Sequence, residues 1–290
     1  SHSSYLLASL RQPQLAVAPR YAPLGTLVAV RIDEDAGIAI VELNDAERFN
    51  SQTPPLSEDM RLAVAHVAAR PRVRALVLQG AGEHFCVGLN HYHEVAAAGR
   101  ASLAASMAAR HVAGSGFLAL RTVAAPSVCA IHGALLGGGQ AVCLNADYRV
   151  ADANATFQHG NLPRGVSPLA GYSLTPFVTI GTAAAHNMYL RDEKLSADAA
   201  LAYGFIDEVS VGGAPAAQTR ALALARHFAH GPFGRALLAR RADLPKATLH
   251  RETLAHVECV HEGGFKHALP SDSLATWRSA VAWHAPPPPP

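Results

Sequence analysis

The sequence is poor in charged and aromatic residues, which make up 16% and 6% of its 290 residues. Its 24 basic and 22 acidic residues nearly balance, so it lacks the excess of positive charge that nucleic-acid binding requires. Half of the residues are hydrophobic, yet no uninterrupted apolar run is long enough to cross a bilayer. The composition therefore favours a globular protein with a substantial core that binds neither nucleic acid nor membrane.

Cysteine is scarce as well. The four cysteines, Cys86, Cys129, Cys143 and Cys259, form no CxxC pair, and three of them lie in apolar stretches. We therefore expect reduced thiols in the core of a cytoplasmic protein. No signal peptide is recognisable at the start of the sequence. Although there are 16 histidines, none has the spacing of a metal site such as HExxH, and we expect no metal.

Both ends of the sequence differ in composition from its middle. Residues 1–23 are rich in Ser, Pro, Gln and Ala without periodicity, and we interpret them as a linker or the remnant of an expression tag. Residues 285–290 form a proline-rich tail, which is stiff and extended. Between them we expect an α/β core over residues 24–211 and a helical region over residues 212–284. Such ends indicate either a domain cut from a longer polypeptide or a free-standing protein with disordered tails.

Strand and helix patterns alternate through the expected core. Leu27–Ile32 and Gly37–Leu43 predict a hairpin around a charged turn, and Ser57 predicts the cap of a helix that ends before Pro71. A nearly continuous apolar run at Val73–Leu78 predicts a strand that is buried on both faces. The alternation of strand, helix and strand is typical of βαβ crossovers, and so of a parallel sheet.

A second apolar run, Ser127–Ile131, leads to three consecutive glycines, Gly137–Gly139, and then to small residues that predict a helix over Gln140–Asn145. A strand that feeds a glycine turn at the start of a helix directs unpaired backbone N–H groups at whatever binds above the turn. These amides and the positive end of the helix dipole favour an anion there. The alternative is a tight turn that serves only close packing.

Two segments carry a wider resemblance. HGALLGGGQAVCLNADYRVAD, which contains the three glycines, resembles the second signature segment of the crotonase (enoyl-CoA hydratase/isomerase) superfamily, and HFCVGLN, residues 84–90, resembles the first. The resemblance implies an α/β fold, a crotonase-type ββα spiral core with C-terminal helices, assembled into homotrimers or hexamers. It also implies a substrate carried on coenzyme A or phosphopantetheine, with acyl-CoA or an acyl carrier protein as partner and no other cofactor.

In this superfamily two backbone N–H groups hold the thioester oxygen of the substrate. The resemblance places them at Leu89, which follows Gly88, and at Gly138, where a side chain would obstruct the approach of another backbone. Two fixed donors stabilise an enolate as negative charge moves onto that oxygen, an effect on the order of several kcal/mol. Hydration, dehydration, double-bond shift, decarboxylation and retro-Claisen cleavage can all use such a pair.

The groups that transfer protons distinguish these reactions. Hydratases of the family use two glutamates, and the aligned positions hold Ala141 and Asn161 in this chain. Without these carboxylates the usual activation of water has no base. His159 is then the candidate proton donor in its protonated form, and Asn161 would help to place the departing group. A purely structural histidine is the alternative for His159.

Other residues complete the expected site. Arg164 would pair with a substrate carboxylate, and Ala141 would lie against the substrate. His91, Tyr92 and His93 come directly after the first signature segment and would face the pocket. The structural alternatives are a surface or interface position for Arg164 and a solvated start of a helix for the other three.

The two amides are retained while both carboxylates are lost, which best fits decarboxylation, because that reaction needs no strong base. The β-branching decarboxylases of polyketide assembly lines also lack both glutamates, although the lysine that they place after the first signature is absent from Tyr92–Ala98. We therefore expect a lyase acting on an acyl thioester in polyketide or related secondary metabolism. A hydratase, dehydratase or isomerase that uses a histidine, and a non-catalytic CoA-binding or scaffold subunit, are the alternatives.

Overall fold

The computed structural model of the chain describes residues 25–90, 103–239, 241, 244 and 246–261. The strands are β1 Val28–Asp33, β2 Ile38–Leu43, β3 Ala75–Gly80, β4 Ser127–Ile131, β5 Ala134–Leu136, β6 Tyr148–Asp152, β7 Thr156–Gln158, β8 Leu195–Ser196 and β9 Glu208–Ser210. The α-helices are α1 Pro54–Ala68, α2 Leu103–Leu118, α3 Gly138–Cys143, α4 Thr175–Leu190, α5 Ala197–Ala202, α6 Gly213–His230, α7 Phe233–Ala239 and α8 Lys246–His261. None of these helices is both long and apolar enough to span a membrane. The expected linker and proline tail lie outside the described residues.

A six-stranded sheet in the order β1-β2-β3-β4-β6-β9 forms the centre of the fold. β1 and β2 form the predicted antiparallel hairpin. The other neighbouring strands of this sheet, from β2 through β3, β4 and β6 to β9, run parallel. β3 and β4 are buried along their whole length because both faces of the sheet are covered. The mixed α/β class predicted from the sequence is therefore confirmed.

The two faces of the sheet pack against different helices. One face carries α6, whose apolar residues recur at the spacing that places them on a single helix face: Ala221, Leu224, Ala225 and Phe228. In β3, Ala75 and Val77 face α6, whereas Leu76 and Leu78 face the larger apolar cluster, which includes residues of α1 and α2. This alternation follows from the two-residue period of a strand. The cysteines Cys86, Cys129 and Cys143 are free and buried, as expected.

A second sheet was not predicted from the sequence. It consists of β5, β7 and β8, with β7 in the middle, and its strands are only two or three residues long. Such short segments show no hydrophobic period, which explains why the sequence pattern did not reveal them. β5 pairs parallel to β7, with Leu136 opposite Gln158. The pairing places the glycine turn after β5 beside the loop after β7.

The first helix begins earlier than predicted. α1 begins at Pro54 rather than after Ser57, because the side chain of Thr53 accepts a hydrogen bond from the N–H of Leu56 and caps the helix. The two prolines that follow Thr53 fit the first turn, where backbone N–H groups have no helical partner. The predicted cap was therefore wrong by one turn.

Two further helices also begin earlier than their sequence patterns indicate. α3 begins at Gly138 rather than Gln140, so the glycines belong to its first turn. The stretch Thr182–Leu190 predicts a helix as well, but α4 begins earlier, at Thr175, and Gly181, with φ of 78°, interrupts its helical backbone. The predicted helix was thus the half of α4 that follows this break.

One buried ion pair connects the segment after α7 to the central sheet. Nε and Nη2 of Arg241 donate to the two Oδ atoms of Asp147 at 2.7 Å each, and Asp147 also accepts the N–H and hydroxyl of Ser127 at the start of β4. The same guanidinium donates to the carbonyls of Val123 and Ala125. The Asp147 side chain is only 1% exposed, so its charge depends on these donors.

We expect Arg241→Ala to lower the free energy of unfolding by about 3 to 5 kcal/mol, because it leaves the buried Asp147 carboxylate without its cation. Arg220→Ala is the matched control, since Arg220 also makes a two-bond contact with a carboxylate, that of Glu208, but is 47% exposed. The control should lose at most about 1 kcal/mol. Urea denaturation of both variants measures the difference, and equal losses would contradict the anchoring role of Arg241.

Candidate active site

The first signature segment is paired with the loop that precedes α1. The N–H of Gln52 donates to the carbonyl of Gly88 at 2.7 Å, and the carbonyl of Gln52 accepts the N–H of Asn90 at 2.9 Å. The C=O and N–H of a trans peptide point in opposite directions, so the N–H of Leu89 points away from the backbone of Gln52. Leu89 is therefore held by its neighbours while its own amide is left available.

The glycine turn packs directly on this segment. A methyl group added to Gly88 would lie 2.7 Å from the carbonyl oxygen of Leu136 and 3.1 Å from the nitrogen of Gly138. Gly88 has φ of 86°, which also favours glycine at this position. Leu89 and Gly138 thus lie on two backbones in contact, and among the described residues neither N–H has a hydrogen-bond acceptor.

The loop after β7 reaches the same turn. The N–H of Gly137 donates to the carbonyl of Gln158 at 3.2 Å, and a methyl group added to Gly137 would lie 3.2 Å from Oδ1 of Asn161. The fold therefore brings the segments that carry Leu89, Gly138 and Asn161 together, and their roles in catalysis stay a prediction. His91, Tyr92 and His93 lie outside the described residues.

His159 lies in an aromatic enclosure behind the turn. Its ring stacks on Tyr172 with centroids 4.3 Å apart and meets the edge of Tyr189 at 4.7 Å. The side chain is 4% exposed, and this burial lowers its pKa to about 3 because the aromatic rings replace the water that would solvate an imidazolium. His159 is therefore neutral near pH 7, and the protonated donor expected from the sequence is wrong.

Two other predicted residues have defined surroundings. Ala141 is 1% exposed and belongs to the main apolar cluster, and its contact with the substrate stays a prediction. Nη1 of Arg164 donates to the carbonyl of Gly160 at 2.5 Å. Burial lowers the pKa of Arg164, and the nearby Asp192 opposes this shift. The role of Arg164 as a carboxylate clamp stays a prediction.

Several polar residues around the site were not identified from the sequence. The hydroxyl of Tyr172 donates to Oε1 of Gln140, whose Nε2 donates to the carbonyl of Leu135 at 3.3 Å. Glu252 of α8 accepts the N–H of Gly171 at 2.6 Å and thereby fixes the segment that carries Tyr172. No local signal identifies the contacts of Tyr172 and Glu252, because they join residues that are 32 and 81 positions apart in the sequence.

Gln52 is a further residue that the motifs did not single out. Its side chain is 2% exposed, and its Oε1 has no hydrogen-bond partner among the described residues. A methyl group added to Gly138 would lie 2.2 Å from this oxygen. The amide of Gln52 therefore occupies the space beside the Gly138 backbone that a side chain there would need.

The arrangement favours chemistry at a negatively charged oxygen. Two backbone N–H groups on facing segments can stabilise such an oxygen, and the positions of the family's glutamates, Ala141 and Asn161, supply no base. In the part of the chain that the structure describes, no group of three or more His, Cys, Asp or Glu side chains could hold a metal ion.

The chain is similar to proteins of one family. Residues 33–257 match the family described as Enoyl-CoA hydratase/isomerase. Mevalonyl-coenzyme A hydratase of Beauveria bassiana is 33% identical over 176 residues, which are 59% of this chain and 63% of that protein. (E)-Benzylidenesuccinyl-CoA hydratase of Thauera aromatica is 32% identical over 228 residues, which are 77% of this chain and 83% of that protein.

Solved structures share the fold. An enoyl-CoA hydratase from Mycobacterium avium subsp. paratuberculosis superposes with a TM-score of 0.72 at 23% identity, over 85% of this chain and 98% of that chain. One from Bacillus halodurans superposes with a TM-score of 0.73 at 21% identity, over 88% of this chain and all of that chain. At such identities the likeness concerns the fold alone, and it confirms the crotonase-type core with C-terminal helices.

We expect His159→Phe to make stability less sensitive to acid. The unfolded chain protonates His159 below its ordinary pKa of 6.5, and the folded chain does so only near 3. The contribution of the neutral ring to stability is therefore complete above pH 6.5 and is lost as the pH falls towards 3. Between about pH 7 and 4.5, the unmodified protein should lose roughly 2 to 3 kcal/mol more unfolding free energy than the variant. Urea denaturation at both pH values measures this, and equal losses would show that the ring is not buried in its neutral form.

Proposed function

We propose that this chain, which belongs to the enoyl-CoA hydratase/isomerase family of the crotonase superfamily, is a lyase that acts on an acyl thioester through an enolate. The observation that carries the proposal is the contact of the two signature segments. It brings the N–H groups of Leu89 and Gly138 onto adjoining backbones, where neither has an acceptor among the described residues. Such fixed donors stabilise an oxygen that gains charge during the reaction.

Within this class the reaction we assign is decarboxylation. The bond from the α-carbon, or from its vinylogous position, to the carboxylate breaks, its electron pair moves into the thioester enolate or dienolate, and CO2 leaves. A proton then adds to carbon. No base is needed in these steps, which agrees with Ala141 and Asn161 at the positions of the family's glutamates. Asn161 would place the departing group, and Arg164 would pair with its charge before it leaves.

The proton that returns to carbon needs a source other than an imidazolium at His159, since that ring is buried and neutral. We assign this step to water or to one of the polar residues after the first signature segment, His91, Tyr92 or His93. The substrate is carried on coenzyme A or on the phosphopantetheine of an acyl carrier protein, because the thioester oxygen is the group that the two amides recognise. Polyketide or related secondary metabolism is the proposed context.

A hydratase or dehydratase is the second candidate. The observation that favours it is the similarity to two relatives named as hydratases, at 33% and 32% identity. The unpartnered Nδ1 of the neutral His159 offers a lone pair, so in this reaction the ring would accept a proton rather than donate one. Its low pKa makes it a weak base, which is why we place this function second.

We also propose that the protein is cytoplasmic and forms a homotrimer or hexamer. On α4 the apolar side chains of Val178 and Leu190 are 56% and 61% exposed. Two single residues do not form a contiguous apolar patch, so the assembly itself is taken from the resemblance to the family. The free thiols of the buried cysteines agree with a reducing compartment.

A panel of CoA thioesters, followed by mass spectrometry, tests the reaction. We expect CO2 to be released from thioesters whose carboxylate stands on the α-carbon or at the vinylogous position, and crotonyl-CoA to remain unhydrated. Hydration of crotonyl-CoA without release of CO2 from any substrate would replace this assignment with the second candidate. Binding of the thioesters without turnover would identify a non-catalytic binding subunit instead.

Two substitutions at one position test the Gly138 donor. Gly138→Pro removes the N–H at the first residue of α3, where proline is tolerated, whereas Gly138→Ala retains the N–H. Both add a Cβ that must displace Gln52, so this effect is common to the two variants. We expect the proline variant to be slower in kcat than the alanine variant by roughly 10²- to 10³-fold. Equal rates in two variants of equal melting temperature would exclude this amide as a donor.

A further inference from the structure

Burial of the Gln52 side chain costs free energy, because its Oε1 loses water and gains no hydrogen bond from the described residues around it. It is 2% exposed, and Oε1 has no hydrogen-bond partner in the described part of the chain. A buried carbonyl without a donor loses its hydration and gains nothing in return. An apolar side chain of the same size would avoid this loss, so the amide requires an explanation.

Another buried amide near the same segment is fully paired. Nδ2 of Asn50 donates to the carbonyls of Ala81 and His84 at 2.9 Å each, and its Oδ1 accepts the N–H of Asp45 at 2.9 Å. Asn50 therefore holds the loop before α1 against the turn after β3. Gln52, two residues further along, makes no such contact through Oε1 and has no comparable structural role.

The position of Gln52 connects it to the proposed reaction. Its backbone hydrogen-bonds to the residues on both sides of Leu89. Its Oε1 lies 2.2 Å from the point that a methyl group on Gly138 would occupy. The amide thus stands at the junction of the two segments that supply the N–H donors, and the acyl chain of a thioester held by those donors would begin beside it.

We propose that Gln52 is a specificity residue whose Oε1 accepts a hydrogen bond from a hydroxyl group on the acyl chain, close to the thioester. The inference rests on the proposed function, because the thioester oxygen at Leu89 and Gly138 determines where the acyl chain lies. A hydroxyl is the substituent that fits, since an ionised carboxylate has no proton to donate to a carbonyl oxygen. The substrates of this site are therefore hydroxyacyl thioesters.

Calorimetric titration with three saturated probes tests the inference: butyryl-CoA, 2-hydroxybutyryl-CoA and 3-hydroxybutyryl-CoA. We expect the unmodified protein to bind at least one hydroxylated probe about tenfold more tightly than butyryl-CoA, the effect of one added hydrogen bond. Gln52→Leu should lose this preference and bind butyryl-CoA at least as tightly as before. Its melting temperature without ligand should rise by a few degrees, because the unpaired carbonyl is gone.

Gln218→Leu is the matched control. Gln218 lies on α6, where its Nε2 donates to the carbonyl of Gly80 at 3.3 Å, and its removal should leave the preference unchanged. Gln52→Met repeats the test with a second apolar side chain of similar length. Equal affinity of the unmodified protein for all three probes, or a preference that survives in Gln52→Leu, would overturn the role of Gln52 while the proposed function stands. Binding of none of the probes would overturn the role of Gln52 in selecting CoA thioesters, while the turnover panel decides the proposed function separately.

Discussion

The backbone contact between the first signature segment and the glycine turn is the constraint on which the site depends. A methyl group would lie 2.7 Å from Leu136 O if added to Gly88, and 2.3 Å from Cys86 O if added to Gly139. Both oxygens belong to the backbone, which cannot move aside as a side chain can. Glycine at these positions lets two segments that are distant in the sequence approach until their amides share one region of space.

Several residues around this contact are buried, which affects the chemistry that the site can support. His159 is enclosed by Tyr172 and Tyr189 and stays neutral, and Ala141 is buried in the main apolar cluster. In such an environment a fixed N–H group acts more strongly on a developing charge than it would in water. The same burial makes an unpaired polar group costly, which is why the side-chain Oε1 of Gln52 indicates a ligand rather than a packing role.

Elements from the C-terminal part of the chain hold the site in place. Glu252 of α8 binds the backbone at Gly171 and Ser173, and Arg241 binds the Asp147 carboxylate after α3. Both are charged groups held by several hydrogen bonds, so each fixes orientation as well as distance. The helical region is thus part of the support of the site and not only an addition to the sheet.

The sequence by itself determined the strands of the central sheet and the two glycine segments. Apolar runs such as Val73–Leu78 and Ser127–Ile131 lie close to the observed strands, because burial on both faces requires apolar residues at successive positions. The resemblance carried by GGG and HFCVGLN identified the family, and with it the candidate amides of Leu89 and Gly138. These features depend on local backbone preferences and on residue type, which are readable along the chain.

Only the tertiary structure decided the second sheet, the charge of His159 and the position of Gln52. β5, β7 and β8 are too short to show a period, yet their pairing places Asn161 beside the glycine turn. The protonation of His159 depends on two tyrosines of other segments, and the side-chain Oε1 of Gln52 is unpaired among the described residues only because of what surrounds it in the fold. Burial and hydrogen bonding are properties of neighbours in space, and the order of residues along this chain does not specify those neighbours.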